Sequence, residues 1–485
     1  LKSIKDSPLI PITQPKSVAV FGASNRIGSM GTNLLSSIMD IGFEGKIYPV
    51  HPKETSVLNL KAYPSIETVP EVPDLALLVL PTRLVADTLD ACGRKGIKHA
   101  IVVSGGFKEV GGEGPAMEEN IVAVARRHGM RFLGPNCIGV ANPHHKFNST
   151  FLPFTGLPGF IGMVSQSGSF ITQLFDYLGH FGLGFSSGIS VGNEANIDMV
   201  DCLEYLADCP HTKVIALYIE AVRRGRDFIR TARSIVPHKP IVAFYVGGSE
   251  AGRQAGFSHT GALAGPDNLY DGVFRQSGII RARSIEEMFD FCLVLGVCPV
   301  PEGNRVVIQT HSGGPGAAAA DACGRSGLHL ARLSDGTREN LKAYVPHTGS
   351  LNNPVDITFS RNPLDYFEAI PDILLKEEDA DAMLMYLLMP RRNIQRTLES
   401  MGVPASDIEN QTAEIVLDRS RVIAGLLQKS KKPLIGYSFS AKRELMIPAL
   451  LKGGVPVLPS PERAARSLGA LVQYSRIRDK LSVKV

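Results

Sequence analysis

SVAVFGASNRIG, Ser17 to Gly28, sets a run of β-branched and small apolar residues directly against a turn of Gly22, Ala23, Ser24, Asn25, Arg26, Ile27 and Gly28, and Gly31 stands ahead of a helical pattern. Strand, glycine turn and helix in that order open a βαβ unit. Glycines at such a turn let backbone N–H groups approach a phosphate, and the helix N-terminus favours its charge. The spacing departs from strict GxGxxG, so the turn points to a nucleotide-like ligand in general.

Outward from this turn the alternation continues. KIYPV, DLALLVL and HAIVVSGG read as further strands, with helices expected near Asn33–Ile41, Leu84–Lys95 and Met117–His128. Ala141 to Pro158 has little periodicity and reads as a linker. FIGMVSQSG, FSSGISVG, KVIALYIEAV and PIVAFYVGG then form a second set of strands. After a second linker, CPVPEGN at 298–304, a third set follows with RVVIQTHSGG, LHLARL, DAMLMYLL, PLIGYSF and VPVLP. Nearly continuous apolar strands suit sheets covered by helices on both faces. The expectation is an α/β chain of three consecutive doubly wound parallel-sheet domains, at 1–145, 146–299 and 300–485.

Composition sets the remaining bounds. The 485 residues suit about three domains. A net charge of +4 with no block of basic residues argues against a nucleic-acid or membrane partner. The seven cysteines form no CxxC pair, which fits reduced thiols and no metal site. No apolar run approaches the ~18 residues of a membrane span, and Leu1 is not followed by a basic-then-apolar leader. A cytoplasmic enzyme is expected.

Several strand-end turns carry polar groups where open sheets bind ligands. In the first domain these are Lys53 in PVHPK, Pro81 in LPTR, Ser104 and Gly105 in SGGF, and Asn136 and Cys137 in GPNCIG. A lysine here meets a nucleotide phosphate as a point charge. Cys137 lacks a paired base and reads as a packed small residue.

In the second domain, GFSHTGALAG puts His259 among small residues between a strand and a helix. A neutral imidazole is a competent nucleophile, and attack on a terminal phosphate gives a phosphohistidine. The anionic adduct needs support. Ser165, Ser167 and Gly168 in VSQSG, and Ser312, Gly313 and Gly314 in THSGG, each precede a helix whose first N–H groups are free to bind an anion. Glu220 closes the strand KVIALYIE and is placed to accept the other imidazole N–H. His311, beside the second cradle, is the alternative nucleophile.

SHTGALAG resembles the phosphohistidine loop of the NDP-forming acyl-CoA synthetases, relatives of succinyl-CoA synthetase. The order of GASNRIG, GPNCIG, VSQSGS, YIE and THSGGPG resembles that family along nearly the whole chain. The resemblance implies a Rossmann-like coenzyme A-binding domain followed by two flavodoxin-like domains, with His259 phosphorylated and Glu220 its partner. It implies that the helices after Ser167 and after Gly314 support the phosphate from opposite sides. The implied reaction passes phosphate from ATP through His259 to a carboxylic acid, and the CoA thiol then attacks the acyl phosphate.

These enzymes bind ATP/ADP and Mg2+ on an ATP-grasp domain, and no GxxxxGK motif or spare length for one is present here. The expected partner is an ATP-grasp subunit or fused domain, in a homo- or hetero-oligomer. Two departures stand out: His311 where relatives carry Asn, and Glu194 in SVGNEAN where Lys is frequent. Two other readings stand beside it. An NAD-linked Rossmann oxidoreductase rests on GASNRIG alone, and none of the twelve tyrosines has Lys four residues after it as a short-chain dehydrogenase requires. A non-catalytic CoA-sensing regulatory module would need the CoA pocket but not His259.

Overall fold

The computed structural model describes residues 7–179, 182–252, 265–358, 362, 364–388, 391–439 and 445–482, so His259 lies outside the described residues. The chain divides into two compact units, Leu1–Gly179 with Leu183–Met288, and His180–Gly182 with Phe289–Val485.

The first unit holds two main sheets. One runs Lys46–Val50, Ser17–Phe21, Leu75–Leu78, His99–Val102, Arg131–Leu133, all parallel. Numbering its strands along the chain gives the order 2-1-3-4-5. Ser17–Phe21 and Leu75–Leu78 are buried along their whole length, which is why these segments read as continuous apolar runs rather than alternating ones. Helices Met30–Asp40, Thr82–Lys95 and Gly114–His128 connect the strands.

The other sheet repeats the 2-1-3-4-5 order with Leu157–Ser165 as its first strand, followed in the chain by Gly184–Ser190, Val214–Ile219, Ile241–Tyr245 and Ile280–Ala282. One expectation is corrected here. The stretch that reads as a linker contains the strands Val140–Asn142 and Phe147–Asn148, which extend this sheet antiparallel beside Gly184–Ser190. Val140, Ala141 and Phe147 are fully buried. The hairpin covers a strand edge that would otherwise expose unpaired backbone groups, and its runs are too short to give a periodic signal.

The second unit contains the third sheet, His329–Leu330, Arg305–Thr310, Ala382–Tyr386, Leu434–Tyr437, Val457–Leu458, again in the order 2-1-3-4-5, with Val355–Asp356 also pairing on Arg305–Thr310. LHLARL contributes only two exposed strand residues. Val307, Met383, Met385 and Leu434 pack with Ile370, Leu374 and Leu450 in its core.

In each sheet the order reverses beside the first strand, and each first strand runs into one of the three glycine- or serine-rich turns. That is the switch point at which doubly wound sheets open a crevice.

Within the second unit, Arg463 grips Asp290 through Nε–Oδ2 at 2.6 Å and Nη2–Oδ1 at 2.7 Å, with side chains 16% and 7% exposed. Removing one partner strands a buried charge. Asp290→Ala is expected to cost about 3 kcal/mol or more in urea unfolding, and adding Arg463→Met should recover part of that loss.

Candidate functional site

The first unit contains a cavity of about 540 Å³. Pro81, Ser104, Gly105, Asn136 and Cys137 reach it from strand ends of the first sheet, and Ser167, Gly168 and Glu220 from strand ends of the second. Eight candidates from five separate segments therefore meet in one place. Gly22, Ser24, Asn25, Arg26, Gly28 and Lys53 are not among its lining residues. Ser165 lies beneath it, fully buried, its hydroxyl donating to the Ser167 carbonyl at 2.7 Å.

Backbone approach explains the glycine turn. Gly22 has φ +91°, and a Cβ there would fall 1.9 Å from the Val79 carbonyl oxygen; one on Gly31 would fall 2.3 Å from the Gly22 oxygen. Strand, turn and helix are thus pressed together as only glycine allows. The turn is braced by Thr32, whose hydroxyl donates to the Ser24 carbonyl at 2.7 Å, and by Asn25, which donates to Ser56 O at 2.9 Å and accepts from Leu58 N at 3.1 Å. Arg26, Gly28 and Lys53 are exposed, and Ile27 is 98% exposed.

On the cavity wall, Ser104 Oγ accepts from Leu80 N at 3.0 Å, and its carbonyl accepts from Asn136 N at 2.9 Å, fastening three strand-end turns together. Cys137 is buried and its Sγ contacts Val102 O at 3.4 Å. Burial pushes its thiol up to about 12, so it stays protonated near neutral pH and is no nucleophile.

Gln166 organises the opposite wall. Its Oε1 accepts from Glu220 N at 2.6 Å and Ala221 N at 3.0 Å. Its Nε2 donates to Ala221 O at 2.7 Å and to Glu194 Oε2 at 2.9 Å. Glu194 Oε1 accepts from Met199 N at 2.9 Å. Glu194 is 5% exposed and sits at φ +54°, a region costly for a residue with a Cβ and one that concentrates at functional sites. Burial pushes its carboxyl up to about 8; the Gln166 bond opposes this and the nearby Asp198 charge adds to it.

Neighbouring Asn193 donates to Glu109 Oε2 at 2.6 Å and to Glu118 Oε2 at 2.8 Å. Burial, with the Glu109 charge adding and the Asn193 bond opposing, takes Glu118 up to about 7. Lys108 Nζ reaches Asn193 O at 2.5 Å, and Arg223 Nη1 reaches Glu194 O at 2.8 Å.

Gln166, Asn193, Lys108 and Arg223 were not singled out by sequence reasoning. Gln166 lies inside VSQSG, where the two serines and the glycine carry the helix-start signal. Asn193 adjoins the anomalous Glu194. Nothing local distinguishes Lys108 and Arg223 from the other lysines and arginines.

The second cradle belongs to the second unit. Ser312 is the N-cap of helix Gly313–Arg325 and makes no side-chain cap bond, and Gly313 and Gly314 are exposed. The first N–H groups of this helix therefore lack a side-chain acceptor from the cap. His311 is half-buried, its Nε2 has no partner among the described residues, and burial lowers its basicity. Its ring lies 4.7 Å from that of Tyr386 and 5.7 Å from that of Tyr366. Among the described residues no cluster suits a metal ion.

Family models match the chain at three places: a CoA binding domain at 16–143, a Succinyl-CoA ligase like flavodoxin domain at 158–295 and a Ligase-CoA domain at 306–387. The chain is 36% identical over 463 residues to acetate–CoA ligase (ADP-forming) II subunit alpha of Pyrococcus furiosus, covering 95% of this chain and 97% of that one. It is 37% identical over 471 residues to acetate–CoA ligase (ADP-forming) I of Archaeoglobus fulgidus, covering 97% of this chain but 64% of the relative. Among solved structures, the dinucleotide forming acetyl-coenzyme A synthetase 1 of Ca. Korarchaeum cryptofilum, in complex with phosphate and ADP, is similar at TM-score 0.86 and 32% identity, covering 98% of this chain and 99% of that one.

Glu194 generates a pH prediction. It ionises near its ordinary 4.5 when unfolded and near 8 when folded. Between these values the folded state holds the extra proton, so this group's contribution to stability falls as pH rises. Urea unfolding of Glu194→Gln against wild type should shift in the variant's favour by about 1 kcal/mol or more from pH 5 to pH 8. A pH-independent difference would contradict the assignment.

Proposed function

The chain belongs to the ADP-forming acyl-CoA synthetase family, and we propose that it forms the CoA-binding and phosphohistidine-bearing portion of such an enzyme, joining a carboxylic acid to coenzyme A. The observation that carries this reading is the single cavity in which Glu220 and the Ser167–Gly168 helix start meet the Pro81, Ser104 and Asn136 turns of the first sheet.

The roles follow from that layout. The exposed turn from Gly22 to Gly28, with Ser24, Asn25, Arg26 and Lys53, receives the phosphates of CoA. Pro81, Ser104, Gly105, Asn136 and Cys137 line the way to the thiol. His259 attacks the terminal phosphate of ATP, and the ADP oxygen leaves with the bonding electrons. Glu220 accepts the second imidazole N–H and stabilises the positive charge that develops on the ring.

The first N–H groups of helix Gly168–Gly179 receive the phosphoryl oxygens. A carboxylate oxygen of the acid then takes the phosphoryl group and frees His259. The CoA thiol, losing its proton, attacks the acyl carbon, phosphate leaves, and the thioester forms. Ser312, Gly313 and Gly314 cradle phosphate during transfer to and from the nucleotide.

ATP/ADP and Mg2+ are assigned to an ATP-grasp part outside this chain, on a separate subunit or a continuation. Two length comparisons support this: the chain covers nearly all of a relative named a subunit alpha but 64% of one named without a subunit. We assign three domains, at 1–145, 146–299 and 300–485; the presence of three main sheets supports the number, while Val140–Asn142 of the first span pairs into the second sheet. A cytoplasmic location is supported by seven unpaired, buried cysteines. No helix among the described residues is long and apolar enough to cross a membrane.

The reverse half-reaction tests this reading. With an accepted acyl-CoA and inorganic phosphate, His259 should acquire a phosphoryl group detectable by mass spectrometry at alkaline pH. His259→Ala should abolish the label, and Glu220→Gln should slow it by about a hundredfold or more. Absence of label from every acyl-CoA, despite measurable CoA binding, would favour a regulatory module.

A further inference from the structure

Arg223 lies three residues beyond Glu220 and lines the reaction cavity. It also lines a second cavity of about 460 Å³ whose walls include Glu118, Glu119 and Arg126. Lys108 and Arg223 are the two residues common to both linings, so they stand where the cavities adjoin. Glu220, Ser167 and Gly168 line only the first.

The charges around this junction are unequally answered. Arg224, next in sequence, takes the aspartates: it lies 2.5 Å from Asp198, 3.5 Å from Asp201 and 3.9 Å from Asp227. Among the described residues Arg223 has no carboxylate within 4.0 Å, and its one hydrogen bond goes to the Glu194 carbonyl. Burial lowers the basicity of its guanidinium. A guanidinium carries five N–H donors in a planar fork suited to a carboxylate, and a cation half out of water is stabilised by an anion that arrives to pair with it.

Lys108 is answered in part by Glu118 at 3.7 Å, and Glu118 is itself held by Asn193. Arg126 adds a third cation, and exposed Glu119 one further carboxylate.

We propose that Arg223, assisted by Lys108, binds a second, distal carboxylate on the acyl chain, so that the substrate class is dicarboxylic acids. This rests on the reading that the acid reacts beside Ser167, Gly168 and Glu220. A chain starting there and ending at the junction of the two cavities carries its far end to Arg223, the guanidinium that lines both cavities and has no carboxylate within 4.0 Å among the described residues. The inorganic phosphate of the reaction is the other anion that Arg223 could meet, and the experiment separates the two.

Calorimetry on the full chain compares glutaryl-CoA with pentanoyl-CoA and adipyl-CoA with hexanoyl-CoA, pairs of equal carbon number. The carboxylated member of each pair should bind about tenfold or more tightly, the equivalent of one charge-assisted hydrogen-bonded contact. Arg223→Gln should bring the members of each pair within about twofold, and Arg223→Lys should retain part of the preference. Circular dichroism establishes that the variants are folded.

Equal binding by wild type, or a preference that survives Arg223→Gln, overturns the inference. So does a variant that loses affinity for inorganic phosphate while keeping the thioester preference. A preference lost in Arg223→Gln supports it whether or not His259 becomes phosphorylated, so failure of the synthetase reading is recognised separately.

Discussion

The amide of Gln166 ties two segments of the candidate site together. It receives the backbone N–H groups of Glu220 and Ala221 on one side and donates to Glu194 and the Ala221 carbonyl on the other. A strand end that stops pairing exposes backbone donors and acceptors, and burying them unpaired is expensive. Gln166 satisfies three of them at once and thereby sets the position of Glu220. Glu194 in turn fixes which way the amide faces, because its carboxyl accepts from Nε2. A buried carboxyl in a left-handed backbone conformation is a costly way to hold an amide, and the cost is concentrated beside the cavity.

Along the chain one solution is repeated three times. Five parallel strands of each main sheet follow the order 2-1-3-4-5, and the first of the five ends in a turn rich in glycine or serine at the point where the order reverses. The first turn is shaped by close backbone approach, with Gly31 against Gly22 and Gly22 against Val79. The second and third start helices, at Gly168 and Gly313. The same geometry thus ends in a tight glycine turn in one sheet and in helix starts in the other two, and the side chains placed around them differ.

Much of this was legible in the sequence because it is local. Strand, glycine turn and helix sit side by side in SVAVFGASNRIG, and VSQSG and THSGG announce their helix starts in the same way. The strand-end residues Ser104, Asn136 and Glu220 could be assigned to the ligand edge from their place after an apolar run. What escaped is what only folding brings together. Asn193 reaches Glu109 and Glu118 across the first unit, and Arg223 bonds the Glu194 carbonyl while its neighbour Arg224 pairs with the aspartates. The hairpin at Val140–Asn142 and Phe147–Asn148 gave no signal because two- and three-residue strands have no period to detect. LHLARL read as a strand and yielded a two-residue exposed edge, since a leucine repeat alone does not say whether a neighbouring strand is in reach.

On the proposed function, the thiol end of coenzyme A and the transferred phosphate meet in the cavity between the Ser104 and Asn136 turns and the Ser167–Gly168 helix start. A crystal structure of the chain grown with coenzyme A and inorganic phosphate tests it directly. The expected result is the CoA phosphates at the Gly22–Gly28 turn, the sulfur inside the cavity within reach of Glu220, and phosphate on the first N–H groups of the helix at Gly168. Coenzyme A bound with its thiol outside this cavity, or phosphate held away from that helix start, would contradict it.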